Sequence, residues 1–497
     1  MEKIKIGWSE IDISPKEPIA LAGQFYERVS EYIESPLTCT AMAVESDGDK
    51  MVIVSCDLVS ISDEINAEAK KIINEKIGLD PDKIIFHAIH SHTSYTYRRK
   101  SFVLGKATGS FNYLKENMPE DMEYLSLNSG KTFMDADTAY NIILDGMVKA
   151  VIEAWNNRTE ACYQNAFGRV SVGHCRRACY DDGSAKMWGE TNLANFTALE
   201  AGEDSGMELI YTFDKDKNLV GVVANIACPA QVAEHRNFVS ADYWGKVKQN
   251  LEAKFGRRIF VLGLCSAAGD QCPRDLIRWV DPETPVKDPN IKHYYPVERR
   301  ADPSMFDKSG LYLVGKRVAN EIVNVLEELG DDYKDEAILK HQTVKLLQPL
   351  RRVTISEYEN AKKEIDEFIA KNRGRRINYE DNARLHVYSG TISRYNQQQE
   401  INDYEIEVHY IRFGDVAICT NPYELFLDYG NQIRARSHAK QTFIIQLACG
   451  SAGYLPTEKA EKGSHYSAYV SSGYTGHVGG DILVRETIKH INEKFDD

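Results

Sequence analysis

Residues 38–93 read TCTAMAVESDGDKMVIVSCDLVSISDEINAEAKKIINEKIGLDPDKIIFHAIHSHT. A β-rich run, Thr38 to Glu45, turns at Asp47-Gly48-Asp49 and returns as Met51 to Ser55. Asp-Gly between two such runs is a strong hairpin signal. Ser62-Asp63-Glu64 then opens a helical stretch to about Ile77, with the short polar residues that favour a helix start. An apolar run, Lys83 to Ile89, follows and breaks into His90-Ser91-His92-Thr93. The order is strand, strand, helix, strand.

The same order occurs twice more without repeating the sequence. Met207 to Phe213 turns at Asp214 to Asn218, returns as Leu219 to Ala227 and breaks at Cys228-Pro229. A helix from about Ala241 to Phe255 leads to Arg258 to Leu264, then to Cys265 through Gly269-Asp270-Gln271-Cys272-Pro273. Tyr404 to Arg412 pairs with Val416 to Thr420 across Gly414-Asp415 and breaks at Asn421-Pro422-Tyr423-Glu424. A helix to about Arg436 leads into Thr442 to Leu447, then Cys449 through Tyr454. Crossovers of this length imply parallel neighbours and a right-handed connection. Strands that are apolar throughout are buried on both faces. The expected fold is α/β: buried mixed or parallel sheets flanked by helices, built from three strand-pair–helix–strand units. One domain is expected over residues 1–497, with a polar insert at about 281–402. The insert has helix-like Ser309 to Leu329 and Ser356 to Lys371, then basic Asn372 to Arg376. It reads as a solvated face and receives no chemistry. Ligands of open α/β sheets bind beyond the carboxyl ends of strands, where all three units carry unusual polar residues, so these should converge on one cleft.

A net charge of −14 argues against a nucleic-acid surface or docking on anionic headgroups. No stretch reaches the roughly 18 apolar residues of a membrane helix. Met1 to Ile6 alternates charged and apolar residues and reads as a first strand, not a secretory leader. Ten cysteines in so long a chain read as free, mostly buried thiols. The expected setting is cytoplasmic and the expected partner a small-molecule substrate.

His90 and His92 lie two apart at a strand end, so in extended backbone both imidazoles face one side. Imidazole is both a metal ligand and a general base. Glu424 opens a helix, as a dipole-stabilised acid or as an anionic metal ligand. Cys272 lies in a glycine-containing turn that can hold up a nucleophile or bury an inert thiol, and Asp270 would cap that turn or orient a neighbour. Cys228 is a second strand-end thiol of the kind zinc binds. Cys175 and Cys179 have no second pair with finger-like spacing.

Together these segments resemble the catalytic domain of the neutral, non-lysosomal ceramidases, which are zinc-dependent amidases. Gly7 to Pro15 with Leu21-Ala22-Gly23 resembles the family's opening "DITP…maG" segment, and Val52 to Asp57 its following strand. His90-Ser91-His92-Thr93-Ser94 resembles "HTHSGP", and Gly269-Asp270-Gln271-Cys272-Pro273-Arg274 resembles "GDVSPN". Tyr423-Glu424 matches the segment with the glutamate ligand. Gly453 to Thr457, then His465-Tyr466, resembles that with the zinc-associated tyrosine. The resemblance implies His90, Glu424 and Tyr454 at a zinc site, with Cys228 where the family has its second histidine. His235 is the alternative donor. Arg176 matches the family's substrate-contacting arginine segment, and Tyr466 would line the same pocket. Cys272 replaces the family's serine. The Gly-Pro after the histidine pair and an appended C-terminal β-sandwich are not found, which points away from ceramide itself.

If Cys228 binds as thiolate, it and Glu424 neutralise a zinc dication, which lowers the ion's power to acidify water. Tyr454 is then better cast as a donor to a developing oxyanion. The expected activity is zinc-dependent hydrolysis of a linear amide, or an ester, with His92 or a carboxylate as base. The alternatives are a metal-independent thiol hydrolase or acyltransferase with Cys272 as nucleophile, and a non-catalytic binding protein on the same scaffold.

Overall fold

The structure, a computed structural model, describes residues 3–97, 119–123, 130–280, 300–301 and 307–496. The segment Tyr95 to Leu125, which follows the histidine pair in sequence, lies largely outside the described residues. Strand β1 (Lys5–Asp12) precedes the first unit: β2 (Thr38–Ser46), β3 (Asp49–Cys56), helix α1 (Asp63–Ile77) and β4 (Ile84–Ala88). Helix α2 (Ala136–Asn156) and strand β5 (Thr159–Arg169) lead to the second unit, β6 (Gly206–Asp214), β7 (Leu219–Ile226), α3 (Asp242–Phe255) and β8 (Phe260–Cys265). Helix α4 (Asp307–Glu328), strand β9 (Leu339–Pro349) and helices α5 (Ile355–Lys371) and α6 (Tyr379–Glu400) come next. The third unit is β10 (Asp403–Phe413), β11 (Val416–Thr420), α7 (Leu427–Arg436) and β12 (Gln441–Ile445), and α8 (Gly476–Asn492) closes the described chain.

In each unit the hairpin is antiparallel and the strand after the helix returns parallel to the second hairpin strand. The first two units share one eight-stranded sheet, ordered β8-β7-β6-β5-β1-β2-β3-β4, and the third forms a four-stranded sheet, β9-β10-β11-β12. The sheets pack face to face through Ile53, Ile85, Leu262 and Leu264 on one side and Ile411, Ile418, Phe443 and Ile445 on the other. Alternate residues point outward: Val52 and Val54 meet Ile65 and Met147 of α1 and α2, whereas Val222 and Val261 meet Trp244 and Val318 of α3 and α4. Helices α7 and α8 cover the far face of the small sheet with Tyr429, Ile433 and Leu483. This is why strands such as Met51 to Val54 are apolar at every position: both faces are buried.

Residues 281–402 are partly woven into this core. Helix α4 packs on the large sheet, and β9 pairs along the full length of β10. Helices α5 and α6 share their own apolar contact through Ala361, Ile365, Phe368, Leu385 and Ile392. The polar reading of the segment came from one exposed face of each helix.

The three strand ends are tied together by buried side chains. His87, in β4, contacts the Gln446 carbonyl through Nδ1 at 2.8 Å and accepts from the Cys265 amide through Nε2 at 3.1 Å. The Gln446 side-chain oxygen accepts from the amides of Ala268 (3.1 Å) and Leu425 (2.9 Å). Asn225 in β7 exchanges hydrogen bonds with the backbone of Ile444 in β12. Gln446→Ala would strand two buried amides, at about 1–3 kcal/mol each. We expect it to lower unfolding free energy by about 2–4 kcal/mol in urea titrations. A loss below about 0.5 kcal/mol, the scale of a neutral surface change, would show that the loops do not depend on this residue.

Candidate functional site

The chain leaves β4 and turns at His90, whose φ is +69°, a backbone region that non-glycine residues adopt only under constraint. The expected convergence of the two imidazoles is found, but by this turn and not by strand alternation. His90 Nε2 lies 3.1 Å from His92 Nε2 and 3.5 Å from Glu424 Oε2. His90 Nδ1 is 2.7 Å from the Val59 carbonyl, which makes Nδ1 the protonated nitrogen and leaves the Nε2 lone pair facing Glu424. Gly23, at φ +91°, leaves the space that the His92 ring fills: a Cβ there would lie 2.7 Å from the ring. Arg28 donates to the His92 carbonyl at 2.6 Å and also to that of Ala22.

Glu424 does not begin a helix. Glu424-Leu425 is a two-residue strand that pairs in parallel with Tyr454-Leu455, placing Glu424 directly across from Tyr454. Helix α7 starts only at Leu427, and Asp270 Oδ1 accepts its first amide at 2.9 Å. Asp270 therefore anchors the loop of the second unit to the helix of the third. Gly269 lets the loops meet, because a Cβ on it would come within 2.3 Å of the Glu424 carbonyl. Arg176 donates to the Gly269 carbonyl (2.9 Å) and to the Tyr454 hydroxyl (3.3 Å). The Tyr454 and Tyr466 rings meet edge to face at 5.4 Å. Phe25 lies 5.3 Å from Tyr466, and His386 of α6 packs on Phe25 at 4.5 Å. A segment to which the sequence assigned no chemistry thus walls the site.

Burial dominates the electrostatics. It lowers His90 to about 4, against the pull of Glu424, and lowers His92 to about 3 with help from Arg28 and Arg176. Both rings are neutral, as metal ligands must be, and His92 is a weak base near neutral pH. Burial holds the Tyr454 phenol well above its ordinary value, reinforced by Glu424 and opposed by Arg176. Glu234 went unread in the sequence, although its neighbour His235 was considered. Its Oε2 lies 3.2 Å from His92 Nδ1, and burial pushes its carboxyl up to about 7 against the guanidiniums of Arg176, Arg28 and Arg274.

No protein-family model and no curated protein matches the chain. Among solved structures, the neutral ceramidase from Pseudomonas aeruginosa aligns with a TM-score of 0.65 over 99% of this chain and 75% of that chain, at 12% identity. A ceramidase structure described as complexed with C2 gives 0.64 at the same coverage and identity. The chain has the neutral ceramidase fold.

Within that fold the two candidate thiols each point at a backbone carbonyl. Cys228 is buried with its Sγ 3.3 Å from the Val172 carbonyl, and burial pushes the thiol well up. Cys272 points at the Arg274 carbonyl (3.3 Å), and burial pushes it up to about 12 although Arg176 opposes this. A thiol held protonated and facing a carbonyl is poorly placed as a nucleophile. His235 Nε2 lies 3.6 Å from Asp307. Among the described residues, the group whose ligand atoms all fall within 4.8 Å of one another is a different one, Glu407, His409 and Cys449. Its carboxylate is already paired with Lys70 and Lys345, and its thiol is pushed up to about 12 by burial. A cation there would have to displace an ammonium.

Proposed function

We propose that this protein is a metal-dependent hydrolase of an amide or ester bond in a small acylated molecule. The observation that carries the reading is that His90 Nε2 stands within 3.5 Å of both His92 Nε2 and Glu424 Oε2 at strand ends of the neutral ceramidase fold. The side chains suit a zinc ion. The two contacts at His90 Nε2, 3.1 and 3.5 Å, are close to the spacing of adjacent ligands at about 2.0–2.2 Å from one metal. His90 Nδ1 on a carbonyl has the kind of outer partner that fixes a ligating imidazole, and Glu234 Oε2 stands 3.2 Å from His92 Nδ1. We assign His90, His92 and Glu424 as the residues that would hold the ion, with Tyr454 beside them. Cys228 does not join them in this geometry, and drawing His92 and Glu424 together completes the set. A zinc ion held there supplies Lewis-acid polarisation of the scissile carbonyl.

The chain's own groups define the remaining chemistry. The protonated Tyr454 phenol can donate to an oxygen that gains negative charge, and the Arg176 guanidinium, 3.3 Å from it, supports that donor. Glu234 is the group suited to exchange a proton near neutral pH, at Oε2 beside His92 Nδ1. Phe25, Tyr466 and His386 shield one side from water.

The test is metal analysis of untagged protein purified without chelator, coupled to turnover of an amide and ester panel. About one zinc per chain is expected, with hydrolysis lost on chelation and restored by zinc. Protein that neither contains nor takes up metal, or whose turnover survives chelation, would overturn the reading.

A further inference from the structure

Three arginines bear on the floor of this site, and all three side chains are almost wholly buried: Arg28, Arg176 and Arg274. They belong to three separate parts of the chain. Arg28 follows the opening strand, Arg176 precedes the strand Arg177–Tyr180, and Arg274 ends the turn after β8. Arg28 donates to the His92 carbonyl and Arg176 to the Tyr454 hydroxyl, and the Trp188 whose ring lies under Arg274 donates its amide to the Arg176 carbonyl at 2.7 Å. The facing acids are Glu234 and Glu424. Three buried guanidiniums thus stand around these two carboxylates.

Buried charge is costly unless it is matched. Arg28 meets the backbone carbonyls of Ala22, His92 and Arg236, a pinning role. Arg176 stands beside the Tyr454 hydroxyl. One of its nitrogens serves the Gly269 carbonyl and Tyr454, while its Nε is buried without a hydrogen-bond partner among the described residues. A buried guanidinium edge with an unused donor, next to the Tyr454 hydroxyl, matches the planar two-oxygen face of a carboxylate. Arg274 ends the turn Gly269 to Arg274 and brings a buried positive charge to it. Its guanidinium lies 5.4 Å over the Trp188 ring, which fixes the charge next to a flat apolar surface.

We propose that the substrate carries a carboxylate close to its scissile bond, as in an N-acylated amino acid, with Arg176 receiving that group and Arg274 setting the preference for an anion. This rests on the site being the substrate site proposed above. It predicts the selectivity of the pocket and not only its reaction.

The experiment is calorimetric titration of the full-length protein, as isolated, with N-acylglycines from acetyl to dodecanoyl. The matching N-acylglycinamides serve as neutral isosteres. The carboxylates should bind at least about tenfold more tightly than their amides at some chain length. Arg274→Gln and Arg176→Gln should each weaken the carboxylates more than the amides, so that the ratio falls toward one. Equal affinities in the unmodified protein, tighter binding of the amides, or no binding of either series overturns the proposal without depending on any variant folding. The two readings fail separately. Turnover of neutral amides alone sinks the anion preference and leaves the hydrolase. A retained carboxylate preference with no turnover in any series sinks the hydrolase and leaves the anion site.

Discussion

Glu424→Ala is expected to reduce kcat/KM by about three orders of magnitude or more, the scale on which removing one member of a catalytic unit falls. Bound metal should drop from about one per chain to nearly none. The reason is that Glu424 is the only carboxylate of the three assigned ligands, and its Oε2 faces His90 Nε2 at 3.5 Å. The backbone around it is secured independently of the side chain. The Glu424 amide donates to the Gly453 carbonyl at 2.9 Å, its register with Tyr454 is set by strand pairing, and Gly269 packs against its carbonyl. The substitution should therefore remove the ligand while leaving the melting temperature within a few degrees. Glu424→Gln keeps the shape and loses the charge, and should also lose the metal. If either variant keeps full metal content and full turnover, Glu424 is not a ligand. The same measurements on Cys228→Ala should show both properties unchanged, since that thiol faces the Val172 carbonyl.

The fold was legible because its signals are local. Asp47-Gly48, Gly414-Asp415 and the Asp214 to Asn218 turn each join antiparallel strands, and Ser62 caps α1 through the Ile65 amide. The division into two sheets was not legible, since nothing in β10 to β12 says which neighbours they reject. Helix α2 also escaped notice. Its apolar residues cover most of its circumference, and Gly146 near its centre, which reads as a breaker, is there because Ile13 approaches within 2.2 Å of where a Cβ would stand. Of the residues proposed for the site, His90, His92 and Glu424 stand out by strand-end position, although His92 was expected as a base and is proposed here as a ligand, whereas Tyr454 and Arg176 enter only through the resembled motifs. Glu234 was not legible, because its significance lies in burial and in a contact with His92 across 142 positions of sequence. The orientation of Cys228 was equally out of reach. A residue's place in a motif gives its backbone position, whereas the direction of a thiol is decided by which carbonyl lies nearest.

Arg177 carries the second large effect, and it separates two adjacent arginines. Side chains alternate across an extended segment, so Arg176 faces Tyr454 while Arg177 faces the opposite way. The Arg177 guanidinium is 0% exposed. It pairs with both Glu200 oxygens at 2.6 and 3.1 Å and donates to the carbonyls of Ser464 (2.8 Å), Tyr466 (3.0 Å) and Ala460 (3.3 Å). That segment contains three non-glycine residues at positive φ, Ser464, His465 and Ser467, a conformation that persists only where surroundings impose it. Arg177→Met should cost about 3–5 kcal/mol, because it leaves Glu200 as an unpaired buried charge. The loop should relax, move Tyr466 from the edge of Tyr454 and raise KM. Lysine should not rescue it, since one ammonium cannot serve a bidentate carboxylate and three carbonyls at once. Arg177→Met with Glu200→Met should recover part of the stability, because the stranded charge is gone, but not the KM, because the carbonyls of the loop remain unheld. Urea unfolding and steady-state kinetics on Arg177→Met, Arg177→Lys and the double variant decide the point. A stability loss below about 1 kcal/mol for Arg177→Met, within the ordinary range of single substitutions, would mean that the loop holds its shape without the arginine.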